Sequence, residues 1–281
     1  MAPKIWDILC ESKRIIYTQP RHYLTLSLIF LLPLYFLSLV SQLILKHLQQ
    51  QQPPTSPTAI ISFSILSFLI SSIFTSCAFI SLTDSVYRSF FNEPIKLKEA
   101  FKSISTSFFP LLATDIIFFT IFFLGTFLFG FLIAVVSFLI TYLGGVDLQA
   151  HSYLVVVSLM LVLLPLAIYL AINLSLVKAI VVVESVWGFE PLRRSWKLVK
   201  GMKWLIFSIF FLFASLQWIL VWITGFSWVL KLVISPILIM LSLYNITVLT
   251  VLYIYCKEKH GELGDGEFGK EKDEASLSLI P

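Results

Sequence analysis

Six long apolar runs, separated by polar or basic segments, dominate the pattern of this chain. They lie at about 23–46, 58–83, 108–143, 153–179, 204–224 and 229–255. A helix needs about 20 apolar residues to cross a hydrocarbon core of about 30 Å, and each run reaches that length. The run at 108–143 exceeds it, and is read either as one long tilted helix or as two short ones broken near Gly125 and Gly130. No polar turn separates the two halves, which favours a single helix. The stretch HLQQQQPPTSP, His47 to Pro57, is read as a loop because its glutamines and three prolines oppose helix.

The basic segments are patterned as well. Phe189, Leu192, Trp196 and Val199 recur at steps of three and four, with Arg193, Arg194, Lys197 and Lys200 between them. Leu97, Phe101, Ile104 and Phe108 do the same beside Lys96, Lys98, Glu99 and Lys102. Near the N-terminus, Ile5, Ile8, Leu9, Ile15 and Ile16 form a looser stripe. Such segments predict amphipathic helices lying in the membrane interface. Each feeds a long apolar run, with Pro20, Pro110 and Gly201 marking the expected turns. The pattern suggests three repeats of surface helix, span, loop and span, at 4–83, 84–179 and 184–256. The best residue match between repeats is Ser12 with Ser195.

Composition changes the picture from apolar segments to a membrane protein. Of 281 residues, 58% are hydrophobic and 13% charged. Soluble domains have about 45–50% and about 25%, so this chain lacks the polar surface to face water all round. The expected fold is all-α: a polytopic membrane protein with six transmembrane helices and three cytoplasmic interfacial amphipathic helices, spanning residues 1–256. Residues 257–281 are read as a mobile charged tail. That tail has four Lys against seven acids, a charge of −3 within a chain of net +4, so the body carries +7. With six spans and the N-terminus in the cytoplasm, eighteen of the twenty Lys and Arg fall on the cytoplasmic side, leaving only Lys46 and Lys231 outside. A seventh span would move Arg193, Arg194, Lys197, Lys200 and Lys203 across. Six spans, with both termini cytoplasmic, is the favoured topology.

Candidate chemistry is sparse. Asp115 is the one carboxylate well inside an apolar run, with Asn173, Lys178 and Asn245 as conceivable partners in an intramembrane polar cluster. His22, His47, His151 and His260 are scattered, and HExxH, GxSxG and P-loop patterns are absent. The reading is therefore not an enzyme, with no cofactor or metal. Cys10 and Cys256 fall at expected membrane boundaries, where S-acylation is a possibility; the three cysteines suggest no disulfide framework. No cleavable leader is expected, because residues 1–22 have charges but no apolar core. Basic segments that adjoin spans point to anionic headgroups rather than nucleic acid. The residues expected to meet headgroups are Arg193, Arg194, Lys197, Lys200, Lys203, Lys96, Lys98 and Lys102.

The run VVVESVWGFEPLRRSWKLVKGMKWLIF, Val181 to Phe207, has an acid, then a small helix with Ser, Leu, Lys-Gly and an aromatic: Glu184, Ser195, Leu198, Lys200, Gly201 and Trp204. It is similar to a signature of the membrane domain fused to some bacterial glycerophosphodiester phosphodiesterases. The N-terminal run IWDILCESKRIIYTQPRHYLTLSLIFLLP and the overall layout resemble a plant family of generically described polytopic transmembrane proteins without an established activity. The plant resemblance covers most of the chain; the bacterial one covers about 181–207. Both imply a six-helix membrane domain, and neither implies phosphodiesterase activity here. The plant resemblance places the chain in the endomembrane system or plasma membrane.

Two functions fit these readings. The first is a non-enzymatic membrane protein that organises lipid, or membrane or cytosolic protein partners, at the cytoplasmic leaflet. The second is a transporter, channel or lipid-moving protein using the polar cluster around Asp115. The topology predicts that, in sealed membranes, an impermeant probe added from outside modifies the 47–57 segment and leaves the region of Trp196 untouched; the reverse labelling inverts the map.

Overall fold

The structure, a computed structural model, describes residues 4–50, 57–93, 97–144, 152–225 and 227–262. Lys96 and the tail from 263 lie outside the described residues, as does 51–56 of the expected loop. The described residues form helices and connecting turns, without a strand. The helices are α1 (Ile5–Thr18), α2 (Pro20–Leu26), α3 (Leu32–Gln50), α4 (Pro57–Phe90), α5 (Leu97–Gly144), α6 (Ser152–Leu174), α7 (Val177–Glu184), α8 (Glu190–Leu198), α9 (Lys203–Thr224) and α10 (Trp228–Lys259).

The N-terminal surface helix starts where Asp7 accepts a hydrogen bond from the Lys4 backbone N–H at 2.9 Å. Its buried face is Ile8, Ser12 and Ile15. The chain turns at Gln19, and Pro20 opens α2, where its fixed φ suits a first helical position. A π turn, Ser27–Leu31, then joins α2 to α3. Pro33 supplies the reason: it has no N–H for the Ile29 carbonyl, and its ring crowds that oxygen, so the helix widens just before it. The sequence pattern gives no sign of this turn.

The middle repeat departs from the expectation. Leu97–Phe108 is not a separate surface helix; it forms the first turns of α5, which runs unbroken through Pro110. Both sides of Pro110 are held in one line, because Ala100, Ser107, Leu111 and Thr114 are all buried. A turn at Pro110 would lift one set off its neighbours. The long apolar run is therefore one helix of 48 residues, roughly 70 Å at about 1.5 Å per residue. Span four differs in the other direction. It breaks at Ser175–Leu176 into α6 and α7, and ends at Ser185 in the left-handed region (φ 54). The third surface helix, α8, is separate as expected, with Gly201 at φ +91 between it and α9.

Packing is lopsided along the helix axes. Buried side chains gather where the basic segments lie: Ile8, Tyr23, Val86, Ile180, Leu198 and Leu252 belong to one cluster. Toward the other end the helices show bare apolar surface, with Ile61, Phe68, Phe123, Phe131, Trp218 and Val233 all exposed. Two polar ties bridge α3 and α10 there: Tyr35 Oη meets Ser242 Oγ at 2.7 Å, and Lys231 Nζ donates to Gln42 Oε1 at 2.6 Å. Among the described residues, six helices are long and apolar enough to cross a membrane: Pro20–Leu48, Thr58–Phe90, Leu97–Val136, Leu164–Glu184, Lys203–Thr224 and Val229–Lys259. Aliphatic and aromatic surface of this extent needs hydrocarbon as its solvent. The chain is an all-α, multi-pass integral membrane protein.

Gly201 is where this packing depends on a missing side chain. A Cβ there would lie 3.1 Å from Lys259 Nζ, and that ammonium donates to the Gly201 carbonyl at 2.9 Å. Gly201→Ala is expected to lower unfolding free energy in mixed micelles by about 1–2 kcal/mol, the cost of a left-handed non-glycine residue. Gly125→Ala, in open space within α5, should be neutral or stabilising in the same titration.

Candidate functional site

The Glu184–Trp204 stretch builds a clamp that seats α8 on the end of the bundle. Glu184 closes α7, and its side chain is only 10% exposed. Its Oε2 lies 2.6 Å from Arg194 Nε on α8. This contact is ionic rather than an aligned hydrogen bond, since the N–H does not point at that oxygen. The other oxygen, Oε1, accepts from the Tyr253 hydroxyl of α10 at 2.6 Å and lies 3.8 Å from Lys257 Nζ. Arg194 also donates through Nη2 to Glu262, just beyond α10, at 2.7 Å. One carboxylate thus ties three helices together. An unpaired charge this enclosed would be strongly disfavoured, so each partner holds the others in place.

Ser195 provides the second anchor. Fully buried, it donates to the Asn173 carbonyl at 2.7 Å, near the C-terminal end of α6 where intrahelical donors run out. Asn173 is also buried and donates to the Tyr169 carbonyl at 2.7 Å, while its Oδ1 has no partner among the described residues. The buried face of α8 is consequently Pro191, Ser195 and Leu198. Of the expected stripe of Phe189, Leu192, Trp196 and Val199, Val199 is buried against the bundle, while Phe189 and Trp196 stay exposed on its outside. A polar serine marks the centre of the inward face because it carries its own hydrogen bond.

With that face occupied, α8 turns Arg193 and Lys197 outward, followed by Lys200; all three are exposed. Arg194 is withdrawn from this set by its two carboxylates. Lys203 lies over the rings of Tyr169 and Trp196, at 4.9 and 5.8 Å from their centroids. Around the cations stand exposed Trp187, Phe189, Trp196 and Trp204, the last of these 79% exposed. A groove of about 550 Å³ runs along Phe189, Glu190, Arg193, Arg194, Lys197 and Glu262. Lys98 and Lys102 are likewise exposed on the first turns of α5. Those turns are fixed by Arg88, which reaches Asp84 at 3.2 Å and Glu99 at 3.1 Å.

The expected intramembrane cluster divides into separate places. Asp115 pairs with Lys178 at 3.4 Å across α5 and α7. Asn173 serves the α6–α8 junction described above. Asn245 is on α10, beside Gln217 of α9. Of the boundary cysteines, Cys10 is exposed and Cys256 is fully buried, its thiol 3.7 Å from Met202 Sδ, which closes Cys256 to acylation in this fold.

Sequence reasoning missed Tyr253 and Lys257 as partners of Glu184, Glu262 as a partner of Arg194, and Tyr244, whose hydroxyl donates to the Leu9 carbonyl at 2.8 Å and pins α1 to α10. Tyr244 and Tyr253 lie in a long apolar run and carry no local pattern that sets them apart from lipid-facing aromatics.

A double-mutant cycle of Glu184→Gln and Tyr253→Phe should give a coupling of about 1.5–3 kcal/mol in micelle unfolding, the range of hydrogen bonds to charged groups. Additive effects would remove the clamp. Set against known protein families, curated proteins and solved structures, the chain matches none of them.

Proposed function

We propose that this is a non-enzymatic membrane protein whose cytoplasmic end grips anionic lipid headgroups and so organises lipid, or partner proteins, at that leaflet. The observation that carries this reading is the seating of α8. Glu184 and Ser195 hold its inner face, while Arg193, Lys197 and Lys200 stay exposed among tryptophans. Phosphate groups favour such fixed cations, each worth about 1 kcal/mol near an anionic surface. Tryptophans favour the same level of the bilayer, where ring and indole N–H meet different surroundings. Lys98 and Lys102, and Lys96 outside the described residues, would add to the same charged rim.

The orientation with both termini in the cytoplasm follows from the positive-inside rule, and residence in endomembranes or plasma membrane follows from the plant resemblance. Kinship with that plant family, and with the bacterial membrane domain, is proposed on the quoted residues alone. A transporter would need its polar groups along one path. The division of Asp115–Lys178, Asn173 and Asn245 among separate places favours the organising role. Asp115 and Lys178 largely neutralise each other where they meet.

Replacing Arg193, Lys197 and Lys200 together by Gln should weaken retention of phosphatidylserine or phosphoinositide by the purified protein roughly ten- to a hundredfold, measured by native mass spectrometry at fixed salt. Arg194 is left intact because its loss would unseat α8. Unchanged retention, with the helix content preserved, would exclude the reading.

A further inference from the structure

Gln217 of α9 and Asn245 of α10 line one groove of about 330 Å³, with Ile209, Phe213, Trp218 and Leu249 forming its apolar walls. Gln217 follows Lys203 by fourteen residues and Asn245 precedes Lys257 by twelve. At about 1.5 Å per residue the two amides lie about 21 and about 18 Å from the basic end, both near the middle of a core of about 30 Å. Neither amide has a hydrogen-bond partner among the described residues. A carboxamide brings two donors and an acceptor, and hydrocarbon satisfies none of them.

What fills the groove must therefore bring polar atoms to the mid-plane. Bilayer lipids do not, because their polar atoms stay at the headgroup level on either side. A transmembrane helix can, since its side chains occur at every depth. A second copy of this chain presents matching groups. Rotation about a two-fold axis along the membrane normal preserves depth, so Gln217 and Asn245 of one copy meet those of the other at the same level. Carboxamides pair with themselves, donor to acceptor in both directions. The flanking Trp218, Val221 and Phe210 are exposed on the same groove and supply close-packed apolar contact.

We propose that the α9–α10 face is a homodimer interface, keyed at mid-membrane by Gln217 and Asn245 against their copies. The test uses the full chain in phosphatidylcholine liposomes, with energy transfer between two fluorescently tagged populations followed over a range of protein-to-lipid ratios. The wild-type protein should show saturable pairing, and Gln217→Leu with Asn245→Leu should weaken it roughly tenfold. Leucine suits a groove already walled by hydrocarbon side chains, so the fold should persist, checked by circular dichroism and by retention of phosphatidylserine through α8. In the otherwise unaltered chain, a benzophenone amino acid in place of Trp218 should give a cross-linked dimer, and the same group in place of the exposed Phe123 on α5 should not. A monomer at every ratio overturns the proposal, as does pairing untouched by the leucine substitutions or cross-linked through position 123. Because headgroup binding is read separately, the proposed function can fail while the dimer stands, or the reverse.

Discussion

Hydrocarbon supplies no hydrogen-bond partners, and that constraint shapes most of what this chain does with its polar residues. Hydroxyls along the long helices turn back on their own backbone: Ser64 to the Ile60 carbonyl, Thr120 to Ile116, Ser208 to Trp204. Where a helix must break, the freed groups are met from elsewhere in the fold. The clearest case is the Asn173 carbonyl, which accepts the Ser195 hydroxyl of a helix 22 residues away in sequence. Charges follow the same logic more strictly. Glu184, nearly enclosed, is held by an arginine, a lysine and a tyrosine drawn from two other helices.

This concentration of polar satisfaction at one end explains the lopsided packing. Side chains there interlock as they do in a soluble core, and Tyr23, Ile180, Val251 and Leu252 are fully buried. Farther along, the helices need no such embrace, because lipid is as good a solvent for Phe and Leu as a neighbouring helix would be. The length of α5 follows: beyond Asp115, which meets Lys178, the described residues of its apolar stretch demand no partner, and the helix simply continues. The α9–α10 groove is the exception, with two amides placed where neither lipid nor the described residues answer them.

The surface helix α8 converts that packing into a charged platform. Its inner face is spent on Ser195 and Leu198, its ends are fixed by Glu184 and Gly201, and what remains is an outward row of cations edged with indoles. The headgroup binding proposed above would cost a rigid scaffold of this kind little entropy. Arg194 shows why identity alone does not define the platform: it belongs to the same basic run as Arg193, yet two carboxylates commit it to the fold.

The chain's own pattern determined the class of fold. The six apolar runs follow from transfer energies that act residue by residue and so can be read locally. Pro20 and Gly201 were legible for the same reason, since each restricts its own backbone. Pro110 was not: whether a proline ends a helix depends on what holds the turns on either side, and Ala100 and Leu111 hold these. The clamp was legible only as motif residues, Glu184 and Ser195 among them, whereas Arg194, Tyr253, Lys257 and Glu262 took up their roles in it only when α8 and α10 came alongside. Of the expected cluster, Asp115 and Lys178 do meet, whereas Asn173 and Asn245 turn to other neighbours. Similar depth can be counted along a sequence, but which face each residue turns, and toward which neighbour, is fixed only by how the helices pack.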